Sequence, residues 1–260
     1  MSDRVTVEVA DHIAHVTLNR ADKMNAVDRA MLEGLAEAAA QVAASDARVA
    51  ILSGDGKAFC AGLDVASFAS VAQDKDVLLG RSHGDGNIFQ HASLAWHDLP
   101  IPVIGALHHT VFGAGFQVAL GADIRIAAPE TRFSIMEMKW GLVPDMGGMV
   151  LLPRLAPADV VRRLTYTAEV FEADDALAWC LITEIADDPH ARARDLATEI
   201  ANKSPSAIRA AKRLLKVAEG DAPRADVLMA ETQEQADLIG GPHQMEAVMA
   251  NMAKRPPVFK

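Results

Sequence analysis

The chain has 260 residues, of which 50% are hydrophobic, and a formal net charge of −10. This length and composition suit one large domain, or one domain with a small appendage, and the negative charge argues against nucleic acid or an anionic membrane as a partner. The two cysteines, Cys60 and Cys180, suggest neither a disulfide framework nor a metal site. Because the sequence has no signal-peptide or membrane-span pattern, we expect a cytoplasmic protein.

The hydrophobic pattern predicts an α/β body followed by a helical tail. Alternating apolar residues in 4–18, interrupted by Asp11 and His12, predict a β-hairpin. Further elements are a helix over 28–43, strands over 49–52, 102–107, 124–127 and 133–135, a mobile or variable loop over 70–90, and a helix that ends near Trp96. After Pro144 most windows favour helix, with one strand near 182–185. Asp123 and Arg125 are expected to form a structural ion pair along a strand.

Two segments place small residues where a strand meets a helix. They are Lys57–Asp64, with the sequence KAFCAGLD, and Gly113–Gln117, with the sequence GAGFQ. Small residues let a ligand approach the backbone, and the N–H groups at a helix start have no intrahelical acceptor. Two such N–H groups that converge would form an oxyanion hole. Glycine at such a junction is also ordinary turn chemistry, so spacing alone leaves both interpretations open.

These segments resemble the motifs of the crotonase (enoyl-CoA hydratase/isomerase) superfamily, and the resemblance covers almost the whole chain. The other matching segments, in order, are Leu18-Asn19-Arg20, Met24-Asn25-Ala26, Gly121-Ala122-Asp123, Phe133–Glu137, Gly141–Pro144, Gly147-Gly148 and Lys254–Lys260. The resemblance implies an α/β fold, the crotonase (ClpP-like) spiral of ββα units, over residues 1–200, which hold the CoA-thioester site. It implies a C-terminal helical trimerisation region over 201–260, giving a homotrimer or a dimer of trimers.

The resemblance also implies which residues bind an acyl-CoA thioester. Its oxygen would accept hydrogen bonds from the backbone N–H groups of Leu63 and Ala114. The family's Gly-Gly-Gly triplet is Gly-Ala-Gly here, and the Ala114 donor survives if its φ is negative. The coenzyme A portion would contact Lys23, Ala26, Lys57, Ala61, Asp64 and Lys260, although a surface lysine is usually only a solvated charge. Coenzyme A arrives as part of the substrate, and we expect no permanently bound cofactor and no metal.

The expected acid–base residues depart from the family pattern. A family hydratase uses two carboxylates, and their positions hold Gln117 and Glu137 here. Glutamine has no acid or base form, although it could orient a water molecule. Asp145 matches an aspartate that transfers protons in dienoyl-CoA isomerases, and it could instead cap a helix. The apolar neighbours of Glu137 predict a raised pKa for its carboxyl group.

The function expected from the sequence is therefore proton transfer beside a thioester carbonyl. Because only Glu137 matches an expected carboxylate, we favour double-bond isomerisation of an enoyl-CoA slightly over hydration. In the hydration alternative, Glu137 would transfer both protons while Gln117 orients the water. A non-catalytic acyl-CoA-binding protein is a third hypothesis, motivated by Gln117. The acyl pocket is expected to be built from residues 66–98 and neighbouring helices.

Overall fold

The computed structural model describes residues 3–67 and 75–259. Its strands are β1 (Val5–Ala10), β2 (Ile13–Leu18), β3 (Val49–Gly54), β4 (Val103–Leu107), β5 (Thr110–Phe112), β6 (Ile124–Ala127), β7 (Arg132–Ser134), β8 (Phe171–Glu172) and β9 (Glu184–Ile185). Its helices are α1 (Arg29–Ala44), α2 (Asp76–Leu79), α3 (Ile88–Asp98), α4 (Ala114–Leu120), α5 (Gly148–Leu155), α6 (Ala158–Thr167), α7 (Ala173–Ala178), α8 (Pro189–Ala201), α9 (Pro205–Glu219), α10 (Arg224–Leu238) and α11 (Pro242–Met252). Short 3₁₀ turns lie at Ala21–Lys23, Val65–Ser67 and Met136–Trp140. None of the helices in the described ranges is long and apolar enough to cross a bilayer.

The strands form two sheets. The larger has the order β1-β2-β3-β4-β6-β9, in which β1 is antiparallel to β2 and the remaining pairs are parallel. The smaller has the order β5-β7-β8. The predicted hairpin is confirmed: Asp11 and His12 form its two-residue loop with φ of 51° and 61°, the left-handed values that match the twist of paired strands.

The parallel strands bring the two glycine segments together. Because β3 and β4 are parallel neighbours, their carboxyl ends lie at the same edge of the sheet. The segment Lys57–Asp64 follows β3, and the segment Gly113–Gln117 follows β4 and the short β5. The topology therefore places both segments at one edge, where ligands commonly bind in parallel α/β sheets.

Apolar layers cover both faces of the larger sheet, as parallel strands require. On one face lie α1, α3 and α4, whose apolar residues join the main core. The helix α1 begins at Arg29 because the Asp28 carboxylate accepts the N–H of Met31 at 2.8 Å. On the other face, the alanines of α8 pack against the isoleucines of β3, β4 and β6. Small side chains on α8 allow this close approach.

The described part of the segment over 70–90, which was predicted to be a loop, contains helical residues. It contains α2, and Asn87 with Gln90 forms a capping box that starts α3 at Ile88. Residues 68–74 lie outside the described residues. Beyond Pro144 the predicted strand appears as β9, and the sequence pattern missed the two-residue β8. The boundary between 200 and 201 stays a prediction.

The predicted ion pair between Asp123 and Arg125 is wrong. The Asp123 carboxylate accepts the Val103 N–H at 2.7 Å and pairs with Lys212 Nζ at 2.7 Å. Arg125 is buried, and its guanidinium donates instead to the carbonyl oxygens of Leu181 and Ala122. Asp123 precedes β6 and takes partners from other elements, so strand alternation does not set its direction. Through Lys212, it ties α9 to the sheet.

We expect the substitution Lys212→Met to destabilise the fold by about 3 kcal/mol, because it leaves the Asp123 charge without its cation in a largely buried setting. The lysine and aspartate side chains are only 8% and 29% exposed. Lys216→Met is the matched control: its partner Asp98 is 67% exposed, so the loss should stay below about 1 kcal/mol. Equal shifts of the denaturant midpoints of both variants would contradict this assignment.

Candidate active site

The two glycine segments run side by side. Cys60 pairs with Val111 in parallel register: the Cys60 N–H donates to the Thr110 carbonyl at 3.0 Å, and the Phe112 N–H donates to the Cys60 carbonyl at 3.1 Å. Leu63 and Ala114 each come three residues after this pair. Because the two segments are paired in parallel, the two predicted oxyanion donors follow the pair at equal distances along neighbouring segments.

Neither predicted donor has an acceptor among the described residues. The Gly62 carbonyl and the Asp64 N–H both bond to Val27. Since successive N–H groups of an extended chain point to opposite sides, the Leu63 N–H points away from Val27. Ala114 is the first residue of α4, where an N–H has no intrahelical acceptor. Both residues line one cavity.

Small residues make this arrangement possible. Gly62 and Gly113 adopt φ of 104° and 49°, which disfavour any side chain. A Cβ on Gly115 would lie 2.6 Å from the Cys60 Cβ, so only glycine lets α4 approach the first segment. Ala114, between two of these glycines, has no positive φ. The Gly-Ala-Gly triplet therefore keeps its backbone donor.

Asn25 holds the chain around the segment Lys57–Asp64 by hydrogen bonds, a role that was not predicted from the sequence. This fully buried amide donates to the carbonyl oxygens of Asp55, Ala58 and Phe59 at 2.9, 2.8 and 3.1 Å. Its Oδ1 accepts the Arg20 N–H at 2.8 Å. The matching motif around Met24-Asn25-Ala26 was the only sequence signal for it.

Glu137 lies beside the second glycine segment. It belongs to the 3₁₀ turn Met136–Trp140, and its Oε1 lies 3.4 Å from the point that a Cβ on Gly113 would occupy. Its Oε2 is buried, and no described residue bonds to it. Burial raises the pKa of this carboxyl, and the nearby Asp145 charge raises it further, while hydrogen bonds from its own backbone and Gln117 offset part of the effect. The predicted direction of the pKa shift is thus confirmed.

Asp145 lines the same cavity and does not cap a helix. The helix α5 begins at Gly148 after Gly147, and it has no side-chain cap. The capping interpretation of Asp145 is therefore wrong. Burial raises the pKa of the Asp145 carboxyl as well, with a partly offsetting hydrogen bond from its own backbone. Two carboxyl groups with raised pKa thus share the cavity wall.

Gln117 lies behind Glu137 rather than in the cavity wall. Its side chain is buried, with 2% exposure, and it is absent from the described residues that line the cavity. Its Oε1 accepts the N–H groups of Met146 and Gly148 at 2.9 and 3.0 Å, and its Nε2 donates to Glu137 Oε1 at 2.6 Å. The side chain therefore links Glu137 to the start of α5. A role in orienting water stays a prediction.

The cavity has a volume of about 810 Å³ and a mostly apolar wall. Its apolar side chains include Val65, Leu78, Leu79, Phe89, Phe112, Met136, Trp140, Leu142, Val143 and Met146. Among the described residues, the predicted region 66–98 supplies only part of this wall, since residues 136–146 supply more of it. Besides the two carboxyl groups, Lys75 and Lys139 are its charged residues among those described.

Only some of the residues predicted to contact coenzyme A line the described cavity. Ala61 lines the cavity, whereas Ala26 is not among its described lining residues and its carbonyl accepts a hydrogen bond from Arg20. Arg20 also pairs with the Asp64 carboxylate at 2.8 Å and holds its pKa below the usual range, so that carboxylate already has a cation. Lys23 and Lys57 are exposed and line no part of the described cavity. Their coenzyme A contacts stay predictions.

Lys260 lies outside the described residues. Phe259, which precedes it, has its carbonyl bonded to Arg48 at 2.8 Å. Arg48 immediately precedes β3, whereas the glycine segment follows the other end of that strand. At roughly 3.3 Å a residue, the six residues of β3 span about 20 Å. The described residues therefore give no support to a contact between Lys260 and the site of its own chain.

Comparisons with known proteins agree with this geometry. The model of the enoyl-CoA hydratase/isomerase family matches residues 8–260. The chain belongs to this family. It is 34% identical over 215 residues to (E)-benzylidenesuccinyl-CoA hydratase of Thauera aromatica, covering 80% of each chain. It is also 34% identical over 221 residues to carnitinyl-CoA dehydratase of Salmonella paratyphi A, covering 83% of this chain and 81% of that one.

A solved enoyl-CoA hydratase structure from Bacillus anthracis superimposes with a TM-score of 0.90 at 27% identity, over 99% of both chains. The predicted crotonase fold is thus confirmed, and so is the assignment to an enzyme family. The roles of individual residues stay predictions.

Gly115→Ala should lower kcat on enoyl-CoA thioesters by about 10²-fold, because the added methyl group displaces α4 and with it the Ala114 donor. Gly220→Ala is the matched control, since a Cβ there would meet its nearest atoms at 3.5 Å. Steady-state turnover, with a denaturation curve to confirm folding, measures both. A folded Gly115→Ala variant with an unchanged kcat would contradict the proposed placement of the donors.

Proposed function

We propose that this enzyme shifts the double bond of an enoyl-CoA thioester by moving a proton between two carbons. The observation that carries the proposal is one cavity lined by two unbonded amides and two carboxyl groups, Glu137 and Asp145. The amides suit a thioester oxygen, and the carboxyl groups suit a proton transfer beside it. Family membership supports an acyl-CoA substrate.

The amides of Leu63 and Ala114 provide the electrophilic half of the reaction. As a proton leaves the α-carbon, negative charge moves onto the thioester oxygen. Preformed N–H donors bind that charge more strongly than the neutral carbonyl and so lower the barrier. Loss of one such donor commonly costs about 3 kcal/mol of transition-state stabilisation.

The carboxyl groups provide the proton transfers. Glu137 as the carboxylate removes a proton from the α-carbon, which leaves a dienolate whose charge rests on the thioester oxygen. Asp145 as the neutral acid then delivers a proton to the γ-carbon, and the double bond moves into conjugation. Each cycle leaves Glu137 protonated and Asp145 ionised, and exchange of one proton between them restores the site. The raised pKa values of both groups suit these roles.

Hydration is the second candidate, and the names of two relatives favour it, since one is a hydratase and the other a dehydratase. In the form considered from the sequence, Gln117 would orient the water molecule. The burial of Gln117 and the engagement of its amide with three partners weigh against that form. Incubation with crotonyl-CoA tests hydration directly. Rapid formation of 3-hydroxybutyryl-CoA would contradict the proposal that isomerisation is favoured over hydration.

We also propose that the C-terminal helices associate with other copies of the chain as a trimer or a dimer of trimers. Their large apolar side chains are well exposed in the single chain. They include Leu215, Leu228, Met229, Ile239, Met245, Val248, Met249 and Met252, with exposed fractions from 41% to 82%. Burial of such a surface between copies would remove it from water. Light scattering that gives the mass of a monomer would contradict this assembly.

Glu137→Gln should lower turnover of enoyl-CoA thioesters by about 10³-fold, since the amide cannot accept the proton. Glu130→Gln, at an exposed position, is the control with the same change of group. Acyl-CoA binding measured by calorimetry should survive in both variants. Full turnover in Glu137→Gln contradicts the assignment, and tight acyl-CoA binding without any wild-type turnover would favour the non-catalytic hypothesis.

The pH dependence has a definite sign. Glu137 acts as a base only when ionised, so kcat/KM should fall as the pH drops through its raised pKa, above the usual 4.5. Asp145 acts as an acid only when protonated, so kcat/KM should also fall as the pH rises through its pKa, which burial raises above the usual 3.8. Asp145→Asn should lower kcat and remove this alkaline limb, whereas Asp221→Asn, an exposed control, should leave both limbs in place. An alkaline limb that persists in Asp145→Asn would contradict the role of Asp145 as the acid.

A further inference from the structure

The Gln117 side chain bridges Glu137 and the segment that leads into α5. Its Oε1 accepts two backbone N–H groups, from Met146 and Gly148, at 2.9 and 3.0 Å. Because N–H groups only donate, the atom facing them must be the oxygen, and the nitrogen must therefore face Glu137. The amide orientation is thus set by its partners. Its Nε2 lies 2.6 Å from Glu137 Oε1.

The bridge has consequences for both carboxyl groups. Glu137 Oε1 is held as an acceptor, which fixes the carboxyl beside Gly113. The N–H of Met146, the residue after Asp145, is fixed by the same side chain. A Cβ on Gly148 would lie 2.8 Å from Gln117 Oε1, so glycine at that position is needed for the contact. One amide therefore sets the position of Glu137 relative to the segment that carries Asp145.

We propose that Gln117 is the positioning residue that holds Glu137 and the Asp145 segment in place, and that it restricts the site to proton transfer between carbons without addition of water. This inference rests on the proposed isomerisation. Addition of water is fast when a second acid–base group beside the base gives or takes the second proton, since Glu137 would otherwise transfer both protons in turn. The group in contact with Glu137 is an amide, which cannot give or take a proton at neutral pH, and the proposed isomerisation assigns Asp145 to the γ-carbon.

The identity of this group also sets the ionisation of Glu137. A donated N–H stabilises the carboxylate form and lowers its pKa, against the effect of burial. A carboxyl group at the same place would put two oxygen atoms about 2.6 Å apart, and such a pair cannot ionise fully together. Among the described titratable groups, Asp145 is the one whose charge acts on Glu137. The amide therefore leaves the Glu137 carboxylate without a like charge at this contact.

Two substitutions test the inference. Gln117→Glu keeps the size and an acceptor for Met146 and Gly148, and it adds a second acid–base group. We expect it to add water to crotonyl-CoA about tenfold faster than the wild type, well below the ~10²–10⁴ of a fully positioned acid. The acidic limb of its isomerisation profile should move to higher pH. Gln117→Met, which lacks the donor, should show the higher limb and a lower kcat with little change in KM, and gain no hydration.

Gln41→Glu is the matched control, because it makes the same change at an exposed position of α1. It should leave the pH profile and both reactions unchanged, and denaturation curves confirm that each variant is folded. A wild type that isomerises, with Gln117→Glu showing neither a moved limb nor faster hydration, overturns the inference. A wild type that already hydrates crotonyl-CoA rapidly overturns the exclusion of water. A wild type that does neither overturns the proposed function itself.

Discussion

The chemistry of this site depends on two backbone N–H groups that receive no acceptor from the described residues. Leu63 and Ala114 are kept in this state by their surroundings: Val27 occupies the other side of the first segment, and the start of α4 leaves the second N–H unpaired. An unpaired buried amide costs free energy, so such groups persist only where a ligand or water can satisfy them. The close contact of Gly115 with Cys60 then fixes the distance between the two segments.

The carboxyl groups are placed against this pair of donors by a different set of contacts. Apolar neighbours raise the pKa of both Glu137 and Asp145, and Gln117 moderates the effect for Glu137 with a single N–H. A base that is too basic would stay protonated near neutral pH, whereas one with an ordinary pKa would be a weak base. The cavity wall and the buried amide therefore act together on the proton affinity of Glu137.

Local sequence signals were enough to predict the hairpin, the glycine segments and the raised pKa of Glu137, because each depends on neighbouring residues. The linked roles of Gln117 could not be predicted, since its partners Met146 and Gly148 are 29 and 31 residues away. The pairing of Asp123 with Lys212, across 89 residues, was missed for the same reason. For Asp145, sequence allowed a helix cap and a functional carboxyl equally, and the start of α5 at Gly148 decided between them.

A crystal structure with an unreactive saturated acyl-CoA bound would test the central claim most directly. The account predicts that the thioester oxygen lies about 2.7–3.1 Å from the nitrogen atoms of both Leu63 and Ala114, with the α-carbon facing Glu137. A thioester oxygen that bonds to neither amide, or that is held by a side chain elsewhere in the cavity, would contradict it.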